Sequence, residues 1–118
     1  MKVFVIGASN NPERYSYIAA RMLISHGHQV TLLAMREDLT GELPIWTQAK
    51  DEVPDRVTLY VGPKNQSGWI ERIIQWRPEK VIFNPGTENP EFQRQLDESG
   101  IAWEEACTLV LLQTGQWS

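Results

Sequence analysis

A second cysteine is missing. Cys107 stands alone in the chain, so no internal disulfide can form, and with two histidines and no further thiol a zinc site is not expected. Long apolar runs are missing too. Nothing approaches the ~20 consecutive apolar residues that span a bilayer, and the opening MKVFVIG reads as a strand, without the apolar region and small-residue cleavage site of an export signal. A cytoplasmic protein with no membrane partner is expected. Basic charge is in deficit, with 11 Lys and Arg against 15 Asp and Glu, a net −4. The cations are scattered, so nucleic acid is not an expected partner. At 118 residues the chain fits one domain, 1–118, too short to carry a separate substrate domain. Repeats, low-complexity tracts and internal linkers are absent.

What is present is an alternation of strand and helix patterns. KVFVIG (2–7) is a short apolar run ending in glycine, as in a strand buried on both faces of a parallel sheet. Tyr15, Ile18, Ala19, Met22 and Leu23 then recur at helical spacing, and Gly27 stands where a left-handed cap would fall. QVTLLAM (29–35) follows as a second strand, and such a unit makes the two strands parallel neighbours. Residues 36–56 have no sustained period and contain Gly41, Pro44 and Pro54, so a long loop is expected, either a binding loop or a solvated excursion.

The alternation resumes with a strand at VTLYVG (57–62) and a helix presenting Ile70, Ile73 and Ile74, capped by Ser67 or Asn65 and stopped by Pro78. KVIFN (80–84) is a fourth strand. Asn89-Pro90-Glu91 combines a capping side chain, proline at the first helical position and an acid suited to the helix dipole; that helix ends at Gly100. IAW (101–103) is a short strand, and EEACTLVLLQTGQW is read as a last helix, although TLVLL fits a strand as well. The expected fold is α/β: a doubly wound, Rossmann-like domain with a five-stranded, mostly parallel sheet. Ligands on such sheets bind beyond the carboxyl ends of the strands, where strand order reverses.

Three clues fall on that edge. The first turn, GASNNP, retains only Gly7 of the dinucleotide pattern G-x-G-x-x-G; Ser9 and Pro12 occupy the other two places. Ser9 and Asn10 can still donate to phosphate oxygens, beside main-chain N–H groups at the helix start. Second, Arg36 follows the second strand, where an arginine suits the 2′-phosphate of NADP or the 3′-phosphate of coenzyme A. Third, three strands end in glycine-bearing turns, at Gly7, Gly62 and Gly86, which points to one groove approached closely by main chain.

Catalytic groups do not assemble as clearly. Cys107 falls near the ligand edge and His26 and His28 at the opposite edge, a strand length or roughly 17–20 Å away. That excludes a Cys–His nucleophile pair. Glu88 and Glu91 are accounted for by a turn and a helix start. Of five tryptophans, Trp46, Trp69 and Trp117 fall outside the obvious core pattern, where an indole could stack on adenine, join a homodimer interface or be part-buried in the fold.

Taken together, VIGASNNPERYSYIAARMLISHGHQV, YVGPKNQ, FNPGTENPEF and EEACTLVLL make the chain resemble the small stand-alone CoA-binding domain proteins. These are single-domain relatives of the CoA-binding domain in the α subunit of succinyl-CoA synthetase. The resemblance spans almost the whole chain and implies a Rossmann-type fold holding the CoA nucleotide at the first loop. Carried onto this sequence, it implies Gly7, Ala8, Ser9, Asn10 and Pro12, flanked by Arg14 and Tyr15, with the Gly62 and Gly86 turns beside the pantetheine path. Arg36 is added from its position alone. The resemblance implies no reaction, because the partner domain that supplies the synthetase chemistry is missing. Three readings stand: a CoA or acyl-CoA binding module, an NADP-dependent or other nucleotide-using enzyme, and an interaction module with a vestigial nucleotide site.

Overall fold

Val3, Phe4, Val5 and Ile6 lose essentially all contact with solvent, which a strand achieves only where both faces of its sheet are covered. In the computed structural model, which describes residues 1–118, this strand, β1 (Lys2–Ile6), lies at the centre. It pairs on one side with β2 (Gln29–Leu33) and on the other with β4 (Arg56–Leu59). Beyond β2 lies β3 (Ile45–Trp46); beyond β4 lie β5 (Lys80–Phe83) and β6 (Ala102–Glu105). The six strands are all parallel in the order β3-β2-β1-β4-β5-β6. Direction of travel across the sheet reverses between β1 and β4.

Alternate residues of the strands feed two cores. Phe4, Ile6, Leu59 and Phe83 face α2 (Ser67–Trp76) and α3 (Pro90–Glu98), where Trp69, Ile73, Phe92 and Leu96 meet them. Val3, Val5 and Ile82 face α1 (Tyr15–Ser25) and α4 (Thr108–Gln113), where Ala20, Leu23, Leu111 and Leu112 meet them. This is the doubly wound arrangement the sequence pattern implies.

It differs from expectation in four places. The sheet has six strands rather than five, because Ile45 and Trp46 add an edge strand inside the supposed loop. Two residues carry no readable period. Asp38 and Ile45 also exchange both main-chain hydrogen bonds at 2.9 Å, which folds 38–45 back on itself. Second, β6 extends through Glu104 and Glu105 rather than stopping at Trp103, and α4 begins only at Thr108. Those acids suit an edge strand because Lys80 Nζ donates to Glu104 at 2.7 Å and Gln93 to Glu105 at 2.9 Å. Third, α2 is preceded by Gln66, not capped by Ser67 or Asn65, which lie after and before it. Fourth, Trp69 and Trp117 are core residues, 1% and 5% exposed, and only Trp46 is half-buried. Trp69 and Trp117 are therefore not free to stack on a ligand or form an interface.

The connection from β3 to β4 contains no helix. Residues 47–55 return as a strap beside β2, tied by the Thr31 hydroxyl to Glu52 at 3.0 Å and by Asp55, whose carboxylate accepts from Lys2 N–H at 2.7 Å and whose N–H donates to the Lys2 carbonyl at 2.8 Å.

Candidate functional site

A strand that stops at Ile6 must turn sharply to start α1, and Gly7 makes that turn with φ +90°. Its N–H, and that of Ala8, donate to the Leu33 carbonyl at 2.9 and 3.1 Å, which anchors the loop to the end of β2. From there the loop is built by short polar side chains. Ser9 Oγ accepts from Asn11 N–H at 3.0 Å, and Asn11 Oδ1 accepts from Glu13 N–H at 3.0 Å. The main-chain N–H groups of Ser9, Asn10, Tyr15 and Ser16 are left without an acceptor in the chain. Four donors around one helix entrance have the chemistry that suits an oxyanion.

Facing this loop across the reversal point is the end of β4. A Cβ on Gly7 would stand 2.7 Å from Val61 Cγ1, so the two loops touch and no larger residue fits. The cleft between them holds about 360 Å³ and is lined by Gly7, Ser9, Arg14, Tyr15 and Tyr60, with Pro85 from the turn after β5. Tyr15 is 71% exposed on its rim. The Arg14 side chain is exposed and in no ion pair. Gly62 and Gly86 sit side by side, a Cβ on Gly62 falling 3.8 Å from the Gly86 carbonyl.

The structure thus brings Gly7, Ser9, Arg14 and Tyr15 together on one cleft, with Gly62 and Gly86 on the same edge. Ala8 is tied behind the loop, and Pro12 is exposed on its outer bend. Asn10 turns its side chain away, into the place a Gly41 Cβ would take, and only its N–H remains for a ligand. The Asn10 amide also helps hold the Asp38 carboxyl below its usual range, after the larger effect of the Thr40 hydroxyl. Arg36 is exposed after β2, unpaired, and outside the cleft wall.

Sequence reasoning missed the polar network beneath the cleft. Asn84, buried at the end of β5, donates to Thr58 Oγ1 and to the Leu59 carbonyl at 2.7 Å each, and accepts from Thr108 N–H at 2.9 Å. The Thr58 and Thr108 hydroxyls meet at 2.8 Å. Gln66, fully buried, donates to the Val61 and Thr87 carbonyls at 2.9 and 2.7 Å and accepts from Asn89 at 2.9 Å. Two amides therefore fix all three loops of the β4-β5-β6 half. The only sequence signal was a polar residue ending or following an apolar run.

Tyr60 closes the cleft floor, its hydroxyl buried without a partner. Burial pushes its ionisation up to about 12, so it stays protonated at neutral pH and offers no general base. Cys107 is part-buried immediately before α4. His28 lies at the far edge, its Nδ1 3.2 Å from the Met1 amino group and its ring 6.0 Å from that of Trp117. No thiol–imidazole contact forms. No helix is long and apolar enough to cross a membrane.

A family model described as "CoA binding domain" matches residues 1–113. Among solved structures, an uncharacterized protein is 38% identical with a TM-score of 0.91, over 98% of this chain and 97% of that one. A hypothetical protein from Pyrococcus horikoshii OT3 is 25% identical, TM-score 0.79, over 94% of this chain and 81% of that one. The cell-free ID.343 structure from Thermus thermophilus, 23% identical with a TM-score of 0.86 over 98% and 90%, shares the fold. No curated protein matches the chain.

Proposed function

The chain belongs to the CoA-binding domain family, and from that premise we propose that it is a single CoA-binding unit over 1–118 that binds coenzyme A or an acyl-CoA. The observation that carries this reading is the set of unpaired N–H groups of Ser9, Asn10, Tyr15 and Ser16 at the point where strand order reverses. They fit a pyrophosphate by their donor chemistry, and the Ser9 hydroxyl, already accepting from Asn11, has its proton left for the same oxygens. Arg14 supplies positive charge beside them. Arg36 is assigned to the 3′-phosphate, with the ligand's thiol end running past Gly62 and Gly86. The bound coenzyme would bring its own thiol or thioester. The chain adds no acid–base pair beside it, so the unit acts by binding.

The strand order is that of a dinucleotide fold, which favours NADP as the second reading. Calorimetry with CoA, dephospho-CoA, NADP and NAD in one buffer separates them. CoA is expected to bind best, and removal of the 3′-phosphate or Arg36→Ala to weaken it about tenfold or more, the worth of a charge-assisted bond. Ser9→Tyr should abolish binding with the fold intact. Preference for NADP transfers the assignment to a redox enzyme, and no heat with any of the four overturns the nucleotide reading.

A further inference from the structure

The crest of the first loop has few ties of its own. Gly7 and Ala8 are anchored to β2 at its start and α1 holds its end, but between them the N–H groups of Ser9 and Asn10 donate to nothing. The two turns that follow, Ser9 with Asn11 and Asn11 with Glu13, are internal to the loop. They set its shape without setting its direction. The Asn10 side chain reaches out of the loop, to the segment 38–45, where it lies against Gly41.

That segment is firmly held. Asp38 and Ile45 pair through their main chains, Ile45 is core, and the Asp38 carboxylate accepts from the Thr40 N–H at 3.0 Å and the Thr40 hydroxyl at 2.6 Å. Glu42 adds an ion pair with Arg21 of α1, exposed and worth little by itself. Opposite Asn10 the segment leaves a notch. A Cβ on Gly41 would stand 2.2 Å from Asn10 Oδ1 and 2.4 Å from Asn10 Cγ. Gly41 is not in the left-handed region, so its backbone suits any residue and only the space forbids one. The lodged amide gains the fold little, because Asn10 Nδ2 is buried without a hydrogen-bond partner, which costs stability. A local rule broken at such a cost points to a role in function.

Resting on the CoA reading above, we infer that Gly41 is a positioning residue for the first loop: it makes the room in which Asn10 lodges, and the lodged Asn10 aims the N–H groups of Ser9 and Asn10 at the pyrophosphate. Gly41 itself touches no ligand. A methyl group at position 41 displaces the Asn10 side chain rather than any main chain, since the atoms in its way are the free end of that side chain. The fold then survives while the crest is released.

The test compares the native protein, Gly41→Ala, Asn10→Ala and the double variant by calorimetry with CoA, by urea unfolding and by amide NMR without ligand. Gly41→Ala is expected to weaken CoA about tenfold, the worth of one well-aimed hydrogen bond. It should also shift the Ser9, Asn10 and Asn11 amides and leave the urea midpoint unchanged. Asn10→Ala should weaken CoA without lowering the midpoint, a separation of binding from stability that a merely structural contact does not give. In the Asn10→Ala background Gly41→Ala should change nothing further, because the added methyl then meets no side chain. Equal CoA affinity of the native protein and Gly41→Ala, losses that add in the double variant, or unmoved amides overturn the proposal. Asn10→Ala adds no bulk, so misfolding of Gly41→Ala cannot mask the answer. Native protein that binds no CoA overturns the CoA reading instead, and the ligand-free amide shifts then decide whether Gly41 sets the loop.

Discussion

At Gly7 the backbone holds φ +90°, and the space a side chain needs is filled by Val61 and the Tyr60 carbonyl carbon. Gly7→Ala therefore combines left-handed strain of about 1–2 kcal/mol with overpacking of about 1–3 kcal/mol. A loss of about 2–5 kcal/mol is expected by urea unfolding, with weaker CoA binding as the two loops part. A loss below 1 kcal/mol would show that the loops yield cheaply. Gly7 was legible because a glycine that closes an apolar run marks the turn out of a strand. Asn10 was legible only as a turn former: that its side chain lies against Gly41 depends on a contact 31 positions away in sequence, which no local pattern encodes. Asn84 was read merely as the end of a strand, since nothing near it in sequence announces Thr58 and Thr108 as its partners.

Among the elements, α4 depends most on a neighbour. It is six residues long with no side-chain cap of its own, too short to persist alone in water. Asn84 supplies the acceptor for its first N–H, and Leu111 and Leu112 supply the apolar hold. Asn84→Ala leaves Thr108 N–H and the Leu59 carbonyl without their partner, and a loss of about 2–4 kcal/mol is expected from the bonds removed and groups stranded. Amide exchange across 108–113 should accelerate before that of β1. Uniform acceleration across the sheet would instead mean that Asn84 serves the whole fold and not this helix. Helices α1 and α3 were legible because apolar spacing and the Asn89-Pro90 start agree, and Asn89 does accept from Phe92 N–H at 3.3 Å. Strand β3 was not, because its two residues acquire strand geometry only by pairing with Leu32 and Leu33.

For the molecule as a whole, the two edges of the sheet respond to different conditions. The carboxyl edge carries the Gly7, Gly62 and Gly86 loops, while the amino edge gathers His28, the Met1 amino group, His26 and Arg56 around Trp117. Burial first, and then these cations, depress the His28 imidazole below its usual value. The unfolded chain therefore binds the proton more readily than the folded one, so stability present above about pH 6.5 is lost as pH falls through the lower folded value. Urea midpoints at pH 7.5 and 5.0 should differ more for the native protein than for His28→Asn, whereas equal differences would remove His28 from the cause. The strand order carries another consequence. Because β1 is central and its second neighbour is β4, Val3 must wait for Arg56 before the first strand has both edges paired. On a ribosome adding about 5–20 residues per second, that is a delay of some 3–10 s. Throughout that interval at least one edge of this wholly buried strand is bare, even after β2 has been made, so newly made protein is exposed to edge-to-edge aggregation until β4 arrives.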